Sequence, residues 1–110
     1  MKYFCKNEGR SGSCYHEWIA GKRDDMTTWK EDSLYIHDDV LFETGLYALF
    51  GETIPRFAWC GITAVTAEDW QNARERAAKI GGITAEAFAE ADAWAADALA
   101  RCGTITMLGI

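Results

Sequence analysis

Residues 66–103 carry two helix signatures in direct succession. The first opens at Thr66-Ala67-Glu68-Asp69, where Thr66 can cap and Asp69 stands at the capping-box position. Trp70, Ala73, Ala77 and Ile80 then fall on one helical stripe, and Gly81-Gly82 ends it. The second opens the same way at Thr84-Ala85-Glu86 and closes at Gly103. Its core stripe is Phe88, Ala91, Ala95, Leu99 and Cys102, with Trp94 on one flank and Glu86, Glu90 and Asp97 on the opposite face. In a chain of 110 residues, two such helices need a common apolar surface against which to bury their stripes.

The remaining segments supply that surface as strands. Tyr3-Phe4-Cys5 is short and apolar, and Cys14 to Ala20 alternates, with Cys14, His16, Trp18 and Ala20 on one face and Tyr15, Glu17 and Ile19 on the other. The Gly-rich loop between them suggests a hairpin. Thr27-Thr28-Trp29, Leu34-Tyr35-Ile36, Phe57 to Val65 (bent at Gly61) and Thr104 to Leu108 also have strand character. Asp38-Asp39 caps an apolar helix over Val40–Phe50, in which Gly45 marks a close crossing. The order is strands, helix, strand, two helices, strand, without the regular spacing of a doubly wound fold. Residues 1–110 are therefore expected to form a single α+β domain, a mostly antiparallel sheet with about three helices packed on one face. Leu46, Leu49, Phe88 and Leu99 belong to its core, as do Trp18, Trp59, Trp70 and Trp94, while Trp29 falls on no stripe.

Composition narrows the function classes. No apolar run approaches the roughly 18 residues of a membrane helix, and Lys2 and Lys6 interrupt any signal-peptide core, so the expected location is cytoplasmic. The four cysteines, Cys5, Cys14, Cys60 and Cys102, form no C-x-x-C pair and are expected to be reduced thiols. A metal site from Cys5, Cys14, His16 and His37 would match no recurrent zinc spacing, and Cys60 with His37 sits in no nucleophile motif. The adjacent acids Asp24-Asp25 and Asp38-Asp39 suit a turn and a helix start better than acid–base catalysis, and no phosphate loop, nucleophile elbow or H-E-x-x-H is present. No enzyme, cofactor or metal is expected from these residues.

The charge is unevenly spread. Net charge is −6; residues 1–23 carry +3, residues 24–55 carry −7, and residues 56–110 carry −2. An acidic surface repels phosphate backbones, excluding direct nucleic-acid binding, and attracts basic proteins. The candidate partner-binding residues are Asp24, Asp25, Trp29, Glu31 and Asp32: an aromatic anchor in an acidic rim.

Over about half the chain the order Thr28-Trp29, Leu34-Tyr35-Ile36, Asp38-Asp39 before an apolar helix, a strand over Phe57–Thr63, and Thr66-Ala67-Glu68-Asp69-Trp70 resembles the small immunity proteins of bacterial polymorphic-toxin and contact-dependent growth-inhibition systems. That family is diverse in fold and has no shared catalytic residues. The resemblance implies a cytosolic, stoichiometric inhibitor of one cognate toxin domain, commonly a basic nuclease. The alternatives are a small enzyme or ligand-binding domain using Cys and His, or a subunit of a larger assembly with Thr104–Leu108 pairing at a sheet edge.

Overall fold

A computed structural model of the chain describes residues 1–12, 14–22, 30–58 and 60–109. Its elements are β1 (Phe4–Cys5), β2 (Tyr15–Ala20), β3 (Leu34–His37), α1 (Asp38–Glu43), α2 (Leu46–Thr53), β4 (Ile62–Thr66), α3 (Ala67–Ile80), α4 (Gly82–Cys102) and β5 (Thr104–Leu108). The strands form one antiparallel sheet in the order β1-β3-β2-β5-β4. The α+β class therefore holds, with four helices on one sheet face.

The register explains the layering. Phe4 pairs with Ile36, Trp18 with Leu34 and Met107, and Val65 with Ile105, so these side chains share one face. They join Leu41, Leu46, Leu49, Phe50, Trp70, Ala73, Ala77, Phe88, Ala91 and Ala95 in a single buried cluster. Trp18 and Trp70 lie at its centre with ring centroids 6.0 Å apart, and Trp70 stacks on Phe88 at 4.5 Å. Trp94 is half-buried at the margin. Trp59 lies outside the described residues.

Several expectations change. The β1–β2 hairpin does not form: β1 pairs with β3, and β2 takes the sheet's interior. The Glu90 carboxylate draws the N-terminal segment to this edge by accepting the backbone N–H groups of Lys2, Tyr3 and Phe4 at 2.8, 2.7 and 2.7 Å. Thr104–Leu108 is not an edge strand, because β5 lies between β2 and β4. Strand β4 starts only at Ile62, since the chain turns at Arg56 (φ 62°) and Gly61 (φ 114°), and Phe57 instead packs on the rings of Tyr47 and Phe50.

The expected helix over Val40–Phe50 is two helices, broken at Thr44-Gly45. Gly45 adopts φ 80°, and a Cβ there would sit 2.7 Å from Thr84 Oγ1, so the close crossing is with α4. The carbonyl that Thr44 loses from the helix ladder accepts the Thr84 hydroxyl at 2.7 Å. Thr84 is consequently not the N-cap of α4, which starts at Gly82 after the positive-φ residue Gly81. The N-cap of α1 is His37, whose Nδ1 accepts Asp39 N–H at 3.1 Å; Asp38 and Asp39 occupy the first turn. Thr66 and Asp69 do form a full capping box.

Leu46, Leu49 and Phe88 are buried, but Leu99 is only half-buried and Cys102 is exposed. Thr84, Ala87 and Ala98 bury in addition to Phe88, Ala91 and Ala95, so the inward face of α4 is rotated toward these small residues. Ile80 ends its stripe 45% exposed.

Candidate functional site

Of the expected partner-binding residues, Asp24, Asp25 and Trp29 lie outside the described residues; the strand expected at Thr27–Trp29 does too. Glu31 and Asp32 are described, and both are exposed on the turn that precedes β3.

That turn is anchored from below by a buried carboxylate. Glu17, in the middle of β2 on the face away from the helices, is 3% exposed. Its Oε2 accepts Lys30 N–H at 2.9 Å, the Ser33 hydroxyl at 2.7 Å and the Tyr35 hydroxyl at 3.3 Å. The single Tyr35 hydroxyl proton is shared with the Lys30 carbonyl, which at 2.7 Å is the nearer acceptor. Burial, and then the neighbouring Glu17 charge, push the Tyr35 phenol up to about 12, so it serves as a neutral donor. Arg10 lies over the Tyr35 ring, 5.3 Å from its centroid. A buried charge is tolerated where hydrogen bonds satisfy it, and here they fix the backbone on both sides of Glu31-Asp32.

The turn is also anchored from the side. The Asp32 carbonyl accepts Trp94 Nε1–H at 2.9 Å and Lys6 Nζ at 3.2 Å. Beyond Trp94 on α4, Arg101 pairs with Asp97 at 2.8 Å. Glu31 borders a polar cleft of about 370 Å³ shared with Lys6, Asn7 and Glu8. The turn therefore presents two carboxylates outward on a backbone tied to β2, β3, α4 and the N-terminal segment.

Sequence reasoning missed Glu17, Lys6 and the Trp94 indole as parts of this site. Alternation put Glu17 on the face opposite Trp18, which reads as a solvent face. The available signal was a lone acid between Tyr15 and Ile19 in an otherwise uncharged strand.

The His and Cys residues are arranged differently. His16 is 4% exposed, and its Nε2 meets Asp38 Oδ1 at 2.9 Å, linking β2 to the first turn of α1. His37 is occupied in capping α1 and stands edge-on to Tyr15, with centroids 5.1 Å apart. Cys14, Cys60 and Cys102 are exposed, Cys5 is half-buried, and none of the four is in a disulfide. Burial pushes the Cys5 thiol up against the opposing pull of Arg10, which lowers its thiolate fraction. Among the described residues no three His, Cys, Asp or Glu side chains gather as metal ligands, so Cys5, Cys14, His16 and His37 form no such cluster. No described helix is long and apolar enough to cross a membrane. Comparison with protein-family models, with curated proteins and with solved structures finds no match to this chain.

Proposed function

We propose that the chain is a cytoplasmic, non-catalytic inhibitor that binds one basic toxin domain, such as a nuclease, and blocks it in a stoichiometric complex through its acidic segment 24–39. The Glu31–Asp32 turn is the observation that carries this reading. Its carboxylates are exposed while its backbone is held by Glu17-centred bonds, Trp94 and Lys6. A preorganised charged loop loses little entropy on docking, so its charge goes into steering and complementarity. The excess of −7 over residues 24–55 and the resemblance to immunity proteins point the same way.

The test begins with capture from the source cell on immobilised chain. The expected partner is one basic domain whose activity is lost at equimolar chain. Reversing Asp24, Asp25, Glu31 and Asp32 to Lys should then slow association by about tenfold or more, with circular dichroism unchanged. Trp29→Ala should instead speed dissociation, at a cost of about 2 kcal/mol or more. A folded four-charge variant with unchanged association rate and protection would overturn the acidic-surface reading.

A further inference from the structure

The sheet ends differently at its two edges. At the β1 edge, the Tyr3 and Phe4 N–H groups are covered by Glu90. At the β4 edge, Gly109 N–H donates to the Gly61 carbonyl at 2.7 Å. The register places Thr63 opposite Met107 and Val65 opposite Ile105, so in antiparallel alternation these residues exchange bonds with β5. Gly21 N–H bonded to the Thr104 carbonyl at 2.8 Å shows the complementary phase on the β2 side of β5. Ile62, Ala64 and Thr66 therefore direct their backbone groups away from the sheet. Thr66 N–H is taken by Asp69 Oδ2 at 3.0 Å, whereas the outward groups of Ile62 and Ala64 have no partner among the described residues.

Edge strands are commonly blunted by charge, proline or a bulge, and Ile62-Thr63-Ala64-Val65-Thr66 contains no charge and no proline. Its burial alternates: Thr63 and Val65 point into the core, and Ile62, Ala64 and Thr66 are exposed, Ile62 at 56%.

We propose that the β4 edge is a self-association surface, on which two copies of this chain pair their β4 strands antiparallel about a two-fold axis at Thr63. In that register Ile62 of each copy exchanges both backbone bonds with Ala64 of the other. Each exposed Ile62 side chain then lies beside the small Ala64 of the second copy. A closed two-fold contact needs this kind of self-complementarity. The occupant is a second copy rather than a basic partner, because the strand offers a basic protein no charge. An edge contact of this length is far smaller than the roughly 1,000 Å² of a stable interface, so the dimer is weak.

Sedimentation of the full chain under reducing conditions, which exclude linkage through exposed Cys60, tests this. Between about 10 µM and about 1 mM the mean mass should rise from one chain toward two. Added salt should strengthen association, since each copy carries −6 and the like charges repel. Ala64→Pro removes an outward N–H and leaves the Thr63 and Val65 bonds to β5; Ile62→Lys places charge on the exposed face. Both variants should keep the parent circular dichroism and sediment as single chains, and the four-charge variant of the acidic surface should still dimerise. A one-chain mass at about 1 mM in high salt, or a dimer that persists in folded Ile62→Lys, would overturn the proposal.

Discussion

Glu90 illustrates how one side chain can set the position of a strand. Burial works against its charge, but the N–H groups of Phe4, Lys2 and Tyr3 outweigh burial and hold its carboxyl below the ordinary value of 4.5. A depressed folded-state value means that the contribution is present above the ordinary glutamate range and is lost as pH falls through the folded value. Glu90→Ala should cost about 1–3 kcal/mol near neutral pH, measured by urea unfolding, and the difference from the parent should shrink on acidification below pH 4.5. Asp92 acts in the same direction: Arg74 reaches both its oxygens at 2.6 and 3.0 Å, and this pairing lowers its carboxyl. Gly45 is the corresponding backbone position. With φ 80° and Thr84 Oγ1 2.7 Å from a built Cβ, Gly45→Ala should lose at least about 1–2 kcal/mol. Adding Thr84→Ala relieves the overlap, so the two changes should combine non-additively in thermal unfolding.

Helix α2 meets the core through three residues. Leu46, Leu49 and Phe50 are all essentially inaccessible, and Phe50 lies within ring contact of both Trp18 and Trp70. Leu49→Ala should therefore cost about 2–5 kcal/mol in equilibrium unfolding, and a value below about 1 kcal/mol would contradict its core position. Leu99→Ala should cost less, because Leu99 packs on the core only from its margin. The α3 start was legible in full: Thr66 accepts Asp69 N–H at 3.1 Å and Asp69 accepts Thr66 N–H at 3.0 Å, both bonds being local in sequence. The α4 start was not, because the Thr84 hydroxyl that resembles a cap donates to a carbonyl 40 positions away.

Among the described residues a single core lies between one sheet face and the helices α1 to α4, and the negative charge is concentrated in the middle third of the sequence. If that charge steers a basic partner, raising salt from about 50 to about 500 mM should slow association while changing dissociation little. Stopped-flow or surface-binding kinetics would read this directly, and a salt-independent association rate would contradict charge steering. The proposed self-association has the opposite salt dependence, so the two processes can be separated in one titration.

The sequence by itself determined the α+β class, the capped α3, the glycine stop of α4, the segments that form β2, β3 and β5, and the burial of Leu46, Leu49 and Phe88. These follow from periodicity and from contacts a few residues apart, which the chain carries locally. Only the tertiary structure decided that β1 joins β3 rather than β2, that Val40–Phe50 breaks at Gly45, and that Glu17 is buried beneath the Glu31–Asp32 turn. Each depends on a partner distant in sequence: Glu90 for the N-terminal strand, Thr84 for the helix break, Ser33 and Tyr35 for the carboxylate. Hydrogen bonds and close approaches between distant segments leave no periodic signal, because their geometry exists only once the sheet and helices are packed together.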